Sequence, residues 1–151
     1  MVFVERKNRH LLEVARAIMF SMNVPKYLWG DVILTASYLI NRMHTRVLNF
    51  ETPLHSLKKL FPMCRLYSKL PLKVFGCICF VYVPQILRSK LDPTARKCIF
   101  MGYALNKKGY RCFNHVTKKN LFKYGCVFSR DSTLFFQKSS SGEEYKYCGR
   151  R

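Results

Sequence analysis

The amino-acid sequence predicts an α+β protein in which a helical part comes first and a small β barrel follows. The main observation is that the period of the hydrophobic residues changes once along the 151 residues. In the first part apolar residues recur at helical spacing, and after Pro71 they form short runs rich in Val, Ile, Phe, Tyr and Cys, which favour strands. The second observation is a hydrophobic content of 49%, enough for a packed core. We therefore expect a helical domain at residues 1–71, a barrel at 72–136 and a disordered tail at 137–151, where the period is lost.

Three helices are predicted in the first part. The first runs from about Val4 to Met22, with an apolar stripe on one side and Arg and Lys mostly on the other. Pro25 suits the first turn of a second helix, whose two apolar stripes predict that it is largely buried. The third is short, with Thr52 as its N-cap and Pro53 at its first helical position.

Four short runs after Pro71 predict strands: "KVFGCICFVYVP", "RKCIFMGYA", "GYRCFNHV" and "NLFKYGCVFS". The segments between them, such as "LNKKG" and "VTKKN", have the composition of turns. So few strands suit a small barrel, which removes its edges by closing. We expect residues 72–136 to fold without the helices, and the helical part alone to leave an apolar face around Val32 uncovered.

The charge is the most unusual bulk property of the chain. Its 27 Lys and Arg residues outnumber 8 Asp and Glu residues and give a net charge of +19. Such a surface favours a polyanionic partner, and nucleic acid is the commonest one. The alternatives are a diffusely basic surface without a specific site, or a piece of an assembly that supplies the compensating charge.

Seven cysteines raise the question of disulfides or zinc. Most stand inside apolar runs, where they are typical small buried residues, and neither they nor the four His have zinc-ligand spacing. We expect reduced thiols, no metal held by sulfur and no cofactor. The sequence shows no secretory signal and no apolar run long enough to span a bilayer, so we expect an intracellular protein, nuclear or cytoplasmic, without a membrane partner.

Several stretches together resemble one known family. They are "ERKNRHLLEVAR", "VPKYLWGDVILTASYLINRM", "RVLNFETPLHSL", "KVFGCICFVYVP", "KLDPTARKCIFMGY" and "KGYRCFNHVTKKNLF". In this order and combination they are similar to the integrase region of plant copia-type (Ty1/copia) LTR retrotransposon polyproteins, from the end of the catalytic core to the retroviral-polymerase SH3-like domain. The resemblance implies that residues 1–71 are the end of an RNase H-like core with its connector, and that residues 72–136 are an SH3-like barrel.

The resemblance also implies a role for Glu5. In that family two aspartates and one glutamate bind the Mg²⁺ or Mn²⁺ ions used in DNA strand transfer, and the glutamate lies in a motif similar to Asn-Gly-x-x-Glu-Arg-x-Asn-Arg. Glu5 of "VERKNR" matches that glutamate, whereas the Asn-Gly pair is missing from "MVFVE" and no other acidic residue suits the two aspartates. Because a two-metal site needs several carboxylates, we expect a truncated, non-catalytic chain with Glu5 as one isolated member of the triad.

Two alternatives to this interpretation of the chain stay open. In the first alternative the chain is a piece of an active integrase, and another integrase chain, or upstream sequence missing from the gene model, supplies the aspartates. In the second it is a relic without function. Glu5 itself also has an ordinary structural explanation, since a first-turn glutamate interacts favourably with the helix dipole and with Arg9 one turn later.

The candidate nucleic-acid-binding residues lie in both parts of the chain. The resemblance implies that the helix bearing Glu5 runs along bound DNA, which selects Arg6 and Arg9. In the barrel, cations alternate with aromatic residues, a pattern typical of nucleic-acid platforms and equally of a barrel core. The candidates there are Lys107, Lys108, Tyr110, Arg111, Lys118, Lys119 and Tyr124.

Overall fold

The computed structural model describes residues 2–63, 70–104, 108–114, 116–117, 119–123, 125–136 and 145–149. Three α-helices come first: α1 (Val2–Ser21), α2 (Trp29–Ile40) and α3 (Pro53–Leu60). Six strands follow: β1 (Cys77–Tyr82), β2 (Ala95–Tyr103), β3 (Tyr110–Asn114), β4 (Lys119–Lys123), β5 (Cys126–Phe136) and β6 (Tyr145–Gly149). The predicted α+β class, with helices before strands, is confirmed.

The helices begin where the local sequence predicts. Pro25 precedes a short 3-10 turn, Lys26–Leu28, which leads directly into α2. Thr52 caps α3, because its hydroxyl oxygen accepts a hydrogen bond from the backbone N–H of His55 at 3.2 Å. In α2, however, only Val32, Thr35 and Ala36 are buried, so the expectation of a largely buried helix is wrong.

The strands form one antiparallel sheet in the order β4-β3-β2-β1-β5-β6. The run predicted as a single fourth strand is two strands, because β4 pairs with β3 whereas β5 crosses to the other side of β1. Strand β6 pairs with β5, so the predicted disorder of the tail is wrong for Tyr145–Gly149.

The predicted closed barrel is also corrected, since β4 and β6 form the two edges of the sheet that the structure describes. The sheet is nevertheless strongly curled. Two strands separate β3 from β5, which puts them about 14 Å apart in a flat sheet. Yet the Sγ atoms of Cys112 and Cys126 are 3.7 Å apart, and the ring centroids of Tyr110 and Phe128 are 4.7 Å apart. Contacts between side chains on the concave face therefore hold β3 close to β5, although these two strands are not hydrogen-bonded neighbours in the described sheet.

Both faces of the sheet are covered along much of β1 and β2. The concave face holds an inner core of Cys77, Cys79, Val81, Cys98, Phe100, Tyr103, Tyr110 and Cys112. The outer face packs Phe75, Ile78, Ile99 and Met101 against Ala15, Met22, Val32 and Ala36 of the helical part. Because neighbouring residues of a strand point to opposite faces, β2 is buried without interruption from Cys98 to Tyr103.

In the intact chain this shared core covers the apolar face of the helical part, so the exposure expected for the helical part alone stays a prediction. Val32 has no exposed surface, and it packs in one cluster with Ile78 and Ile99. The helices and the sheet therefore stabilise each other. Among the described residues, no helix is both long enough and apolar enough to cross a membrane.

Candidate nucleic-acid interface

The candidate residues of α1 lie on an exposed surface. Glu5 stands in the first turn of the helix, and Glu5, Arg6 and Arg9 are all exposed. A first-turn glutamate is stabilised there by the helix dipole, the structural role that its position predicts. Arg9 follows Glu5 by one helical turn, so the two side chains lie on the same side of α1.

The candidate lysines of the sheet do not form a single cluster. Lys108 precedes β3 and Lys119 begins β4, and both are exposed. Lys119 pairs with Asn114 at the far end of β3, whereas Lys108 lies beside Tyr110 at the near end. The two lysines therefore stand at opposite ends of a five-residue strand, about 13 Å apart along its axis. Lys107, Lys118 and Tyr124, the other candidates here, lie outside the described residues.

Tyr110 does not present its ring to a partner, which corrects the prediction for this residue. Its side chain is 3% exposed and packs edge-on against Phe100 and Phe128 in the inner core. Its hydroxyl donates a hydrogen bond to the carbonyl oxygen of Pro71 at 3.3 Å. The alternation of aromatic residues and cations in this strand thus marks a core, because Tyr110 occupies an inward position of β3.

Arg111 has a structural partner, which also corrects its assignment as a nucleic-acid contact. Its guanidinium donates a hydrogen bond to the carboxylate of Asp31 in the first turn of α2, with both side chains partly buried. Burial raises the pKa of Asp31, and the positive charge of Arg111 acts in the opposite direction. This ion pair fastens the helical part to β3 and leaves the guanidinium poorly placed for a phosphate.

A divalent metal site does not fit the described residues. Glu5 is exposed near the start of α1, and no group of three His, Cys, Asp or Glu side chains in the described part of the chain is arranged to hold a metal ion. Cys77, Cys79, Cys98 and Cys112 form no disulfide, and the Sγ atom of Cys112 is in contact with that of Cys126 at 3.7 Å. Burial raises the pKa of Cys77 and of Cys98 to about 11, so these thiols stay protonated at neutral pH.

Sequence reasoning missed one exposed group on the outer face of the sheet. Phe80 is 38% exposed, and its directly paired neighbours, Lys97 on β2 and Val127 on β5, are exposed as well. Tyr82, two residues after Phe80 on the same face, is 56% exposed. The alternation of β1 shows which residues share this face. The sequence does not show that the helical layer ends at Ile78, two residues before the exposed group starts at Phe80.

The fold and a match to a known domain family together identify the kind of domain that the strands form. Residues 77–142 match the retroviral polymerase SH3-like domain family, and their curled antiparallel sheet is consistent with it. Residues 77–142 thus form a domain of this family, and the chain is similar to the retrovirus-related Pol polyproteins of copia-type transposons.

Curated relatives support this similarity over most of the chain. The chain is 39% identical over 125 residues to the retrovirus-related Pol polyprotein from transposon TNT 1-94 of Nicotiana tabacum, and 36% identical over 115 residues to that from transposon RE1 of Arabidopsis thaliana. These matches cover 82% and 76% of the chain but 9% and 8% of the polyproteins, so the chain spans less than a tenth of these relatives.

A much shorter relative also matches. An uncharacterized mitochondrial protein of Arabidopsis thaliana is 29% identical over 101 residues, and the match covers 78% of that protein. No solved structure matches the chain.

Proposed function

We propose that this chain is a nucleic-acid-binding part of a retrotransposon integrase region, associated with DNA integration and non-catalytic by itself. The names of the relatives, which describe retrovirus-related Pol polyproteins of transposons, support the retrotransposon context. The resemblance of the N-terminal stretches to the end of an integrase core supports the assignment to that region.

The observation that carries the proposal is how the described charges are distributed. Asp31 is paired with Arg111, and Glu51 accepts hydrogen bonds from Lys59 and Ser56. These acidic residues are therefore occupied within the chain. Exposed cations remain on α1, on the strands and in the segments that lead into β2 and β3. They include Lys7, Arg9, Lys90, Arg96, Lys108 and Lys119. With a net charge of +19, this surface favours the phosphates of a nucleic acid over any neutral partner.

The proposed lack of catalysis follows from the described carboxylates. Strand transfer of the kind implied by the resemblance needs two metal ions held by several carboxylates. Glu5 has no such companions near it among the described residues. We therefore assign Glu5 a helix-stabilising role in the isolated chain and derive no metal-dependent step.

The test is the binding of a fluorescent DNA duplex by the intact chain across a range of salt concentrations. Phosphate contacts predict that log K falls linearly with log salt, with little difference between unrelated duplex sequences. Absence of binding at low salt, or an affinity that does not depend on salt, would contradict the proposal.

A further inference from the structure

We propose that the uncovered end of the outer sheet face binds an unpaired nucleic-acid strand by stacking its bases on Phe80 and Tyr82. We call the group of Phe80, Tyr82, Lys97 and Val127 the outer strip. This inference rests on the proposed function, because it assumes a nucleic-acid partner and specifies which form of nucleic acid the strip recognises.

The geometry of the outer strip follows from the register of three strands. Phe80 pairs with Lys97 on one side and with Val127 on the other, so these three side chains lie in one row across β2, β1 and β5. Tyr82 lies on the same face in the next row. The preceding row on this face contains Ile78 and Ile99, which pair with each other and are buried under the helical part. The strip is therefore the part of the outer face that the helices leave open.

The exposure of these side chains is unusual for a sheet with two covered faces. Val127 is 71% exposed, Tyr82 is 56% exposed and Phe80 is 38% exposed. All three side chains expose apolar surface to solvent. In the neighbouring row of the same face, by contrast, Ile78 is only 3% exposed. Adjacent exposed aromatic residues on a regular strand are typical of a binding surface.

Charge selects the partner of the outer strip. Lys97 lies within the strip and is exposed, and the chain as a whole has a net charge of +19. Arg96 and Lys119 pair with the inward residues Val81 and Asn114, so they lie on the opposite face. Aromatic rings beside a cation are complementary to a strand of bases and phosphates, since bases stack on the rings and a phosphate contacts the cation.

The spacing of the rings favours an unpaired strand over a duplex. Phe80 and Tyr82 are two residues apart, which separates their Cα atoms by about 6.8 Å along β1. This is about twice the rise of 3.4 Å between stacked bases of a DNA strand. Bases on the two rings are therefore unstacked from each other. In a duplex the base faces are covered by their neighbours, so only an unpaired strand offers them.

The experiment compares the intact chain with the variant Phe80→Leu/Tyr82→Leu, using fluorescent oligodeoxythymidine and a duplex of equal length. Leucine keeps the apolar contacts of these positions and removes the ring. Loss of base stacking predicts affinity for oligodeoxythymidine weakened by about fivefold to hundredfold, and affinity for the duplex changed by less than about twofold. A matched control is Phe20→Leu/Trp29→Leu, which removes two exposed rings from the helical part and is expected to leave both affinities unchanged.

Salt dependence separates the roles of the rings and the cation. Phe80→Leu/Tyr82→Leu should leave the slope of log K against log salt unchanged, because no charge is lost. Lys97→Gln should reduce that slope by about 0.7 with oligodeoxythymidine, the value for one phosphate contact of a single strand. Unfolding by urea is measured for each variant, and only variants with the wild-type transition are compared.

Several results would overturn the proposal. Unchanged affinity for oligodeoxythymidine in Phe80→Leu/Tyr82→Leu, with binding of the duplex intact, overturns the outer strip alone and leaves the proposed function standing. Equal losses for both ligands overturn selectivity for an unpaired strand. If Phe80→Leu/Tyr82→Leu changes the oligomeric state in sedimentation but leaves the affinity for oligodeoxythymidine unchanged, the strip is a contact between protein chains and the proposal is wrong. Absence of binding to either ligand by the wild-type chain overturns the proposed function as well.

Discussion

The carboxylate of Asp31 accepts a hydrogen bond from the guanidinium of Arg111 across 80 positions of the sequence. This ion pair joins the start of α2 to β3 and lies beside the outer-face core that the helices share with the sheet. Its side chains retain 17% and 28% of their exposure, so water screens the pair only in part. Arg111 therefore stabilises the packing of the helical part on the sheet, although it comes from a strand rich in basic and aromatic residues.

Substitution of Arg111 by alanine is expected to lower the free energy of unfolding by about 1 to 3 kcal/mol, less than the loss at a fully buried ion pair. The reason is that Asp31 is left partly buried without its cation. In urea unfolding, the double variant Asp31→Ala/Arg111→Ala should be more stable than the sum of the two single variants predicts. Strict additivity of the two losses would show that the pair has no energetic coupling.

Arg111→Ala is also expected to change how the free energy of unfolding depends on pH. Burial raises the pKa of Asp31, and Arg111 limits that rise. A carboxyl group with a raised pKa in the folded state contributes more stability at low pH, and this contribution is lost as the pH rises above its ordinary range near 4. Without Arg111 the rise in pKa is larger, so Arg111→Ala should be more destabilising at pH 7 than at about pH 4. An equal loss at both pH values would contradict this assignment.

Gly102 permits a close approach between β2 and α2. Its φ is +133°, and a Cβ atom at this position would lie 2.7 Å from Oγ1 of Thr35, a side chain that is itself 1% exposed. Gly102→Ala is therefore expected to lower the free energy of unfolding by about 2 to 4 kcal/mol, from backbone strain and overpacking together. Gly30→Ala is the matched control, because nothing lies within 4 Å of its added Cβ. In a helix that change should be neutral or slightly stabilising.

The order of elements was predictable from the sequence, whereas their packing was not. The helix starts at Pro25 and Thr52 depend on neighbouring residues, and the alternation of β1 depends on period, so both can be read locally. The pairing of β5 with β1, the burial of Tyr110 and the ion pair of Arg111 depend on contacts between distant segments. Composition carries no information about those contacts. For the candidate interface, the sequence predicted a basic surface but selected Tyr110, whose ring is buried in the inner core.

The shared core changes the expectation for the strand region alone. Residues 72–136 without the helices would expose Phe75, Ile78, Ile99 and Met101, none more than 3% exposed in the intact chain. We expect this shortened protein to associate, and to lack the cooperative thermal transition of the intact chain. Circular dichroism and sedimentation provide the measurement. A monomeric shortened protein with a cooperative transition would show that the helices do not stabilise the sheet.

The isolated chain is expected to have no metal-dependent nuclease or strand-transfer activity. A two-metal site needs more carboxylates than Glu5 provides. The assay is processing and joining of donor DNA ends with Mg²⁺ or Mn²⁺, with Glu5→Gln as the control that keeps the shape of the side chain. Activity above background that Glu5→Gln abolishes would contradict the non-catalytic proposal.

The positions of the candidate lysines refine the expectation for DNA binding. Along the sequence Lys107 and Lys108 come before β3, whereas Lys118 comes before β4 and Lys119 begins it. The two described lysines, Lys108 and Lys119, stand at opposite ends of β3. Each pair is expected to contribute separately to phosphate contacts. A suitable control residue must lack a structural partner. This excludes Arg42, because its guanidinium lies 3.3 Å from the centroid of the Tyr38 ring, and Lys59, because it forms a salt bridge with Glu51. Exposed cations of the helical part form a better control set: Arg16, Lys26, Arg46 and Lys58.

The most direct test is a salt titration of duplex DNA binding by three proteins: the intact chain, the alanine variant of Lys107, Lys108, Lys118 and Lys119, and the alanine variant of the control set. Because each phosphate contact contributes about 0.9 to the slope of log K against log salt, loss of four contacts should flatten it by roughly 3 to 4 units. The control variant, with the same loss of charge, should flatten the slope by less than about 1 unit. Equal flattening in both variants would contradict a localised interface on the sheet and leave a diffuse attraction between a chain of net charge +19 and a polyanion.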